Sequence, residues 1–198
     1  MEGLSIFIEQ PVRLLQIIVD GILVGSVFAL SAYGLALVWG VMKIINIAQG
    51  EFVMLGGYVA ILIADAGYSP LLGVPLAAMI LFCVGWVLYR LVIFRVVDRD
   101  LFISILATFG LSILLQQLAN QVFGADVRTA ESGLVTMSFL DGNITISQIK
   151  LLSFFLAFAL GGGLWLFLRS SQLGQAIRAT AQNARAARIM GIDTNSVY

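Results

Sequence analysis

The chain has 198 residues, of which 60% are hydrophobic and 11% are charged, and its mean hydropathy is +1.01. About a quarter of the residues of a soluble domain are charged, so this composition excludes a soluble globular protein and indicates an α-helical membrane protein. The chain has no histidine and a single cysteine, Cys83, which excludes internal disulfides and metal sites built from His and Cys clusters.

Apolar segments near or above the roughly 20 residues of a membrane-spanning helix follow one another along the chain. We predict four clear spans, over residues 14–42, 66–94, 101–125 and 151–168. The segment 44–64 is ambiguous, because Glu51 and several glycines interrupt an otherwise apolar stretch. This segment either crosses the membrane or enters and leaves by one face.

The basic residues favour a crossing, because cytoplasmic loops are enriched in Lys and Arg. If 44–64 crosses, eight basic residues lie inside and three outside. The inside set is Lys43, Arg90, Arg95, Arg99, Arg169, Arg178, Arg185 and Arg188, and the outside set is Arg13, Arg128 and Lys150. Without the crossing this bias weakens. We therefore predict an all-α membrane protein with five spans, an external N-terminus, a cytoplasmic C-terminus and a single transmembrane domain over residues 1–198.

The junction between the first two predicted spans, residues 43–58, holds the candidates for a substrate path. Asn46, Gln49, Gly50 and Glu51 place amides and a carboxylate at or near membrane depth, where a buried charge is unfavourable and often marks a pathway. Glycines there permit an unwound backbone that faces a cavity. The alternative is structural: Glu51 begins a helix and interacts with its N-terminal dipole, or pairs with Lys43.

A polar stripe and an external loop follow in the chain. Thr108, Ser112 and Gln116 recur every four residues and share one helical face, and we expect them to form hydrogen bonds to neighbouring helices rather than to line a polar route. Residues 124–147 contain glycines and serines typical of turns, and we predict an external loop there.

The segment 169–193 is basic and alanine-rich, and it directly follows the last predicted span. We predict one cytoplasmic helix, capped by Ser170 or Ser171 and ended by Gly191 in the left-handed conformation. Two interpretations remain open: the helix docks on a cytoplasmic protein, or it rests on anionic lipid headgroups. The candidate docking residues are Gly174, Arg178, Gln182, Arg185, Arg188 and Gly191, with Arg178, Gln182 and Arg185 expected on one side of the helix.

Two stretches resemble the first permease subunit of branched-chain amino acid ABC importers. Residues 25–58 are similar to the family's glycine-rich first span, and residues 46–51, Asn-Ile-Ala-Gln-Gly-Glu, resemble its Asn-x-Ala-His-Gly-Glu turn. Residues 173–179 and 187–192 resemble the cytoplasmic loop by which such permeases engage their ATPase. The sequence departs from the family at Gln49, which replaces a common His, and at Gln182, where many members have an acidic residue.

The resemblance implies a permease subunit in a bacterial inner membrane that imports branched-chain amino acids. It implies four kinds of partner: a second homologous permease, two cytoplasmic ATP-binding subunits, a periplasmic solute-binding protein and the lipid bilayer, with no nucleic acid. The chain shows no Gly-Lys-Ser/Thr nucleotide motif, so we expect ATP on separate subunits, with no enzymatic activity and no cofactor in this chain. Family members continue for about another hundred residues, so we expect a truncated chain or a fragment of a longer one.

Two alternatives to this function remain open. Permeases related to the family serve urea and short amides, and no residue of this chain separates those substrates from branched-chain amino acids. A membrane scaffold or channel-like protein that does not transport by ATP is the rival from another class.

Overall fold

A computed structural model of the protein describes residues 11–97, 99–124, 126, 128–129, 135–139, 144–194 and 197. Helices dominate this part of the chain, and one pair of short strands interrupts them. The elements in chain order are α1 (Pro11–Met42), α2 (Gln49–Asp65), a 3-10 turn (Pro70–Leu72), α3 (Gly73–Leu88), a π-helical turn (Tyr89–Ile93), α4 (Phe94–Val96), α5 (Leu101–Phe123), β1 (Thr136–Phe139), β2 (Ile144–Ser147), α6 (Gln148–Ser170), α7 (Gln172–Gln182) and α8 (Ala184–Ile189).

The long apolar helices confirm the predicted fold class, an all-α integral membrane protein. Among the described residues, four helical segments have the length and composition to cross a membrane: Val12–Met42, Pro70–Val96, Leu101–Phe123 and Gln148–Ser170. Helix α2 has 17 residues, and at 1.5 Å per residue it covers about 25 Å, the lower end of what a spanning helix needs. The fifth span and the predicted orientation therefore stay predictions.

The chain forms two compact units, and the division falls inside α1 and α6. The first unit comprises Met1–Tyr33 and Gly133–Trp165, and the second comprises Gly34–Ser132 and Leu166–Tyr198. The prediction of a single transmembrane domain over residues 1–198 stays a prediction beside this division.

A β-hairpin in the first unit lies in the stretch predicted as a loop of turns. Strands β1 and β2 pair antiparallel, with Thr136 opposite Ser147 and Met137 opposite Ile146. Each strand has only four residues, too few for the alternation of polar and apolar side chains to stand out from a turn-rich sequence. Residues 140–143, which belong to the predicted loop, lie outside the described residues.

The side chain of Gln16 on α1 joins this hairpin to the helix. Its amide nitrogen donates to the Thr145 carbonyl at 2.9 Å, and its amide oxygen accepts from the Thr145 backbone N–H at 2.9 Å. The same nitrogen donates to Asp20 at 2.6 Å, and the Lys150 ammonium of α6 lies 2.9 Å from the other Asp20 oxygen. A single network thus connects α1, β2 and α6 within this unit.

The second unit has its core where α5 meets the segment that precedes and begins α2. Ala48, Leu111 and Leu115 are buried, and Phe52, Leu55 and Leu88 pack against them. Farther along α2, the rings of Tyr58 and Phe123 stack with centroids 4.1 Å apart.

Helices α2 and α3 pack closely in this unit, and Gly73 permits the approach. A methyl group at Gly73 would lie 2.9 Å from the Ala60 Cα, which is backbone and cannot move aside alone. The chain reverses between the two helices through Gly67, whose φ of 82° lies in the left-handed region.

We expect the Gly73→Ala variant to be destabilised by about 1–3 kcal/mol, because the added methyl forces the two helix backbones apart. Gly57→Ala is the matched control, since a methyl at Gly57 on α2 meets no atom within 4 Å. Thermal unfolding of the purified protein in detergent measures the effect. Equal melting temperatures for the two variants would contradict the packing described for α2 and α3.

Candidate functional site

The candidate substrate-path residues lie around a break between α1 and α2. Helix α1 ends at Met42, and the chain is not helical until Gln49. Lys43 follows the helix with a φ of 57°, and its backbone N–H donates to the Trp39 carbonyl at 3.1 Å, a helix end of the left-handed type. An unwound backbone near this junction was predicted, but Gly50, Gly56 and Gly57 are helical and the break precedes them.

Two polar side chains hold the broken segment in place. The Thr108 hydroxyl oxygen on α5 lies 2.9 Å from the Ile45 carbonyl and accepts from the Ile47 N–H at 3.3 Å. The same oxygen lies 2.9 Å from the Ser104 carbonyl and 3.2 Å from the Ile105 carbonyl of its own helix, so its one proton has three carbonyl acceptors within reach. The Asn46 side chain accepts from the Ala48 N–H at 3.1 Å and turns the chain into α2. Hydrogen bonding by Thr108 to a neighbouring segment agrees with the interpretation of the polar stripe.

Glu51 lies in the first turn of α2, where a carboxylate interacts favourably with the helix dipole. Its Oε1 accepts from the Ser112 hydroxyl of α5 at 2.8 Å. No ion pair joins Glu51 to Lys43 among the described side chains. This geometry favours the structural alternative for Glu51 and accounts for the second member of the stripe, Ser112.

A cavity of about 500 Å³ opens beside the break within the second unit. Of the four candidate path residues, Asn46 and Gln49 line it, whereas Gly50 and Glu51 do not. Most other lining residues are aliphatic or aromatic, and sequence reasoning missed them because they look like ordinary span residues. The lining is Gly34, Val38, Met42, Ile44, Asn46, Gln49, Phe52, Leu81, Phe82, Gly85, Trp86, Leu88, Tyr89, Ile93 and Leu111.

The segment 169–193, predicted to be cytoplasmic, begins at a tight turn after α6. Ser171 caps α7, with its hydroxyl accepting from the Gly174 N–H at 2.8 Å, as predicted for one of the two serines. Gly174 is buried, and a methyl there would lie 2.5 Å from the Phe167 carbonyl oxygen and 2.6 Å from the Leu168 Cα. The packing of this turn therefore requires a glycine at 174. Its predicted role in docking stays a prediction.

The prediction of one continuous helix in this segment is wrong. Asn183 is extended, with φ −158° and ψ 98°, and it separates α7 from α8. Its side chain accepts from the Ala186 N–H at 3.0 Å and caps α8, a local hydrogen bond that competes with the continuing helix. Arg178 and Gln182 lie on α7 and Arg185 lies on α8, so helical spacing no longer places the three on one side.

The end of the segment follows the predicted left-handed cap. Gly191 has a φ of 85°, and the Gly191 and Ile192 N–H groups donate to the Arg188 and Ala187 carbonyls at 3.1 Å and 3.0 Å. This pair of bonds is the Schellman motif. The Arg188 Nε also donates to the Thr194 hydroxyl at 2.6 Å, so part of this candidate docking side chain is bound within the chain. Arg178, Gln182 and Arg185 are exposed.

Comparison with known proteins identifies the family of the chain. The family model described as "Branched-chain amino acid transport system / permease component" matches residues 17–197. The chain belongs to this permease family. The similarity to permeases and the four apolar helices together identify the chain as a multi-pass protein of the inner membrane. No solved structure shows significant similarity to the chain.

Individual relatives carry related names. The chain is 32% identical, over 92% of its length, to the high-affinity branched-chain amino acid transport system permease protein BraD of Pseudomonas aeruginosa. It is 29% identical, over 96% of its length, to LivH of Escherichia coli K12, which has the same description, and 30% identical, over 90%, to a probable LivH of Methanocaldococcus jannaschii. The chain spans 64%, 66% and 58% of these three relatives.

We expect Thr108→Val to loosen the break, because the isosteric side chain leaves the Ile47 N–H without its partner and deprives the Ile45 carbonyl of a donor. An unpaired backbone group shielded from water costs about 1–3 kcal/mol. Thr108→Ser is the control, since it keeps the hydroxyl. Hydrogen–deuterium exchange of residues 45–48 should be faster in the valine variant only. Equal exchange in both variants would show that Thr108 does not hold the break.

Proposed function

We propose that this chain is the permease subunit of an ATP-driven importer of branched-chain amino acids. The observation that carries the proposal is the cavity of about 500 Å³ beside the helix break, which combines an apolar lining with two amide side chains. The names of the relatives support the same solute class. The cavity is then a segment of the translocation path on this subunit.

The cavity walls suit a solute with a polar head and an aliphatic side chain. Phe52, Leu81 and Leu111 offer apolar surface, which favours a branched side chain by about 25 cal/mol per Å² buried. Asn46 and Gln49 offer amide donors and acceptors for the charged amino acid head. Because amides bear no charge, they can bind both the ammonium and the carboxylate without holding either one strongly.

Urea and short amides are the runner-up solutes. Their polar groups can bind the same amides, but they carry little or no aliphatic surface to bury against the apolar walls. The cavity lining therefore favours branched-chain amino acids over urea, on the principle that a pocket gains selectivity from the surface it desolvates.

The proposal includes the partners of such an importer. A second homologous permease completes the path, two cytoplasmic subunits bind and hydrolyse ATP, and a periplasmic protein delivers the solute. This chain then needs no cofactor of its own. ATP drives transport only if the ATPase contacts of the permease differ between its inward and outward states, since such differential contacts supply the coupling free energy.

Helices α7 and α8 are the proposed contact with the ATPase. Arg178 and Arg185 are exposed, and Ile189 and Met190 are each 81% exposed at the end of α8. Large apolar side chains bordered by basic ones suit a groove on a protein partner. In the rival scaffold function this segment rests on lipid, but α7 and α8 lack the broad apolar face that a membrane-surface helix buries.

We expect Gln49→Leu to lower uptake of radiolabelled leucine at least about tenfold in cells that express the whole transport system. A hydrogen bond to a charged group contributes about 1.5–3 kcal/mol, which corresponds to that factor. Gln117→Leu makes the same exchange at an exposed position of α5 outside the cavity and should leave uptake unchanged. Urea uptake that exceeds leucine uptake in the unmodified protein would favour the runner-up solute.

Charge reversal tests the docking segment. We expect Arg178→Glu combined with Arg185→Glu to reduce co-purification of the ATPase subunits at least about tenfold, as loss of charged interface contacts does. The control, Arg90→Glu with Arg95→Glu, changes the same charge on the same predicted face outside the segment. Unchanged ATPase association with reduced binding to anionic liposomes would refute docking and support the scaffold.

A further inference from the structure

A second cavity of about 480 Å³ lies in the second unit, apart from the cavity assigned to the path. Its lining comes from three parts of the chain: Trp39 and Lys43 at the end of α1, Arg99 and Ser104 at the start of α5, and Thr180 and Gln182 at the joint of α7 and α8. Where the predicted orientation holds, all three lie at the cytoplasmic surface of the membrane. The transport proposal makes no use of this cavity.

The charged side chains that line the cavity are both basic. Lys43 and Arg99 are exposed, and neither forms an ion pair with an acidic residue in the described part of the chain. The neighbouring Asp100 is occupied in capping α5, where its Oδ1 accepts from the Phe102 N–H at 2.9 Å. Lys43 and Arg99 therefore bring two positive charges to the cavity wall, and the Asp100 carboxylate is bonded to the backbone of α5 rather than paired with either of them.

The backbone of Lys43 has a positive φ, which is unusual for a lysine. A φ of 57° suits glycine or asparagine at a helix end, whereas a lysine there is strained. Glycine would end α1 with less strain. A lysine at this position is consistent with a use for its charged side chain that glycine could not serve.

The hydroxyl of Thr180 in the cavity wall also indicates a bound group. Thr180 is 2% exposed, and its hydroxyl has no hydrogen-bond partner among the described residues. Buried hydroxyls are nearly always paired, so one without a protein partner indicates a bound group or an ordered water that completes its bonding.

We propose that this cavity binds the phosphate of an anionic phospholipid from the cytoplasmic leaflet. Basic pockets between helices on this side of a membrane suit anionic headgroups, and Trp39 in the same wall is a residue typical of the headgroup level. Lys43 and Arg99 neutralise the phosphate, while the lipid tails stay in the bilayer. Because the cavity is lined by both the end of α1 and the α7–α8 joint, a bound lipid bridges the two.

Native mass spectrometry of the purified protein with phosphatidylglycerol and phosphatidylcholine tests the proposal. We expect phosphatidylglycerol to bind in preference to phosphatidylcholine. Lys43→Gln combined with Arg99→Gln should weaken phosphatidylglycerol binding about 10- to 30-fold, as expected for two basic contacts to an anionic lipid. The matched control, Arg90→Gln with Arg95→Gln, removes the same charge from the same stretch outside this cavity and should change binding less than about twofold.

A second variant and a second ligand separate the remaining outcomes. Lys43→Arg combined with Arg99→Lys keeps both charges and should retain binding, which distinguishes a lost site from a misfolded protein. Inorganic phosphate titrated into the delipidated protein tests a soluble source of the same anion. Equal lipid binding by the two glutamine variants would overturn the proposal, as would tight phosphate binding without phosphatidylglycerol preference.

Discussion

The backbone of residues 43–48 is the constraint on which the second unit depends. A chain that leaves helical geometry between packed helices must bond its freed N–H and C=O groups, because an unpaired backbone group shielded from water is costly. One hydroxyl, that of Thr108, serves the Ile45 carbonyl and the Ile47 N–H together, and it is fully buried in doing so. The break is therefore held from α5 rather than by the segment itself.

The arrangement around this break accounts for most of the site. Ala48 packs against Leu111 and Leu115, one and two turns along α5 from Thr108, so the same helix face that bonds the break also buries its end. Ser112, between them, bonds the carboxylate of Glu51. Helix α5 thus bonds the backbone of the break and the Glu51 carboxylate, while Asn46 and Gln49 line the cavity. These contacts account for two amide groups in the wall of a largely apolar cavity.

Hydropathy and charge were enough to predict the membrane class and the four long spans, because length and apolar composition are properties of contiguous sequence. The cap at Ser171 and the left-handed end at Gly191 were also predictable, since each depends on a few neighbouring residues. The break was placed too late in the chain, at the glycines, because its position depends on Thr108, some sixty residues away. Cavity residues such as Trp86 were missed for the same reason: nothing local distinguishes them from lipid-facing ones.

Asn183, whose backbone is extended, divides the segment 169–193 into two helices that are held in place to different degrees. The first helix, α7, is packed tightly at its start, where Gly174 leaves no space against the backbone of residues 167–168. The second, α8, carries the exposed Ile189 and Met190 at its far end. Because the two helices are joined at an extended residue, a force on the end of α8 alone would be passed to α7 only weakly. A cytoplasmic partner would therefore move the spans efficiently only if it contacted both helices or held the joint at Asn183 in a fixed conformation.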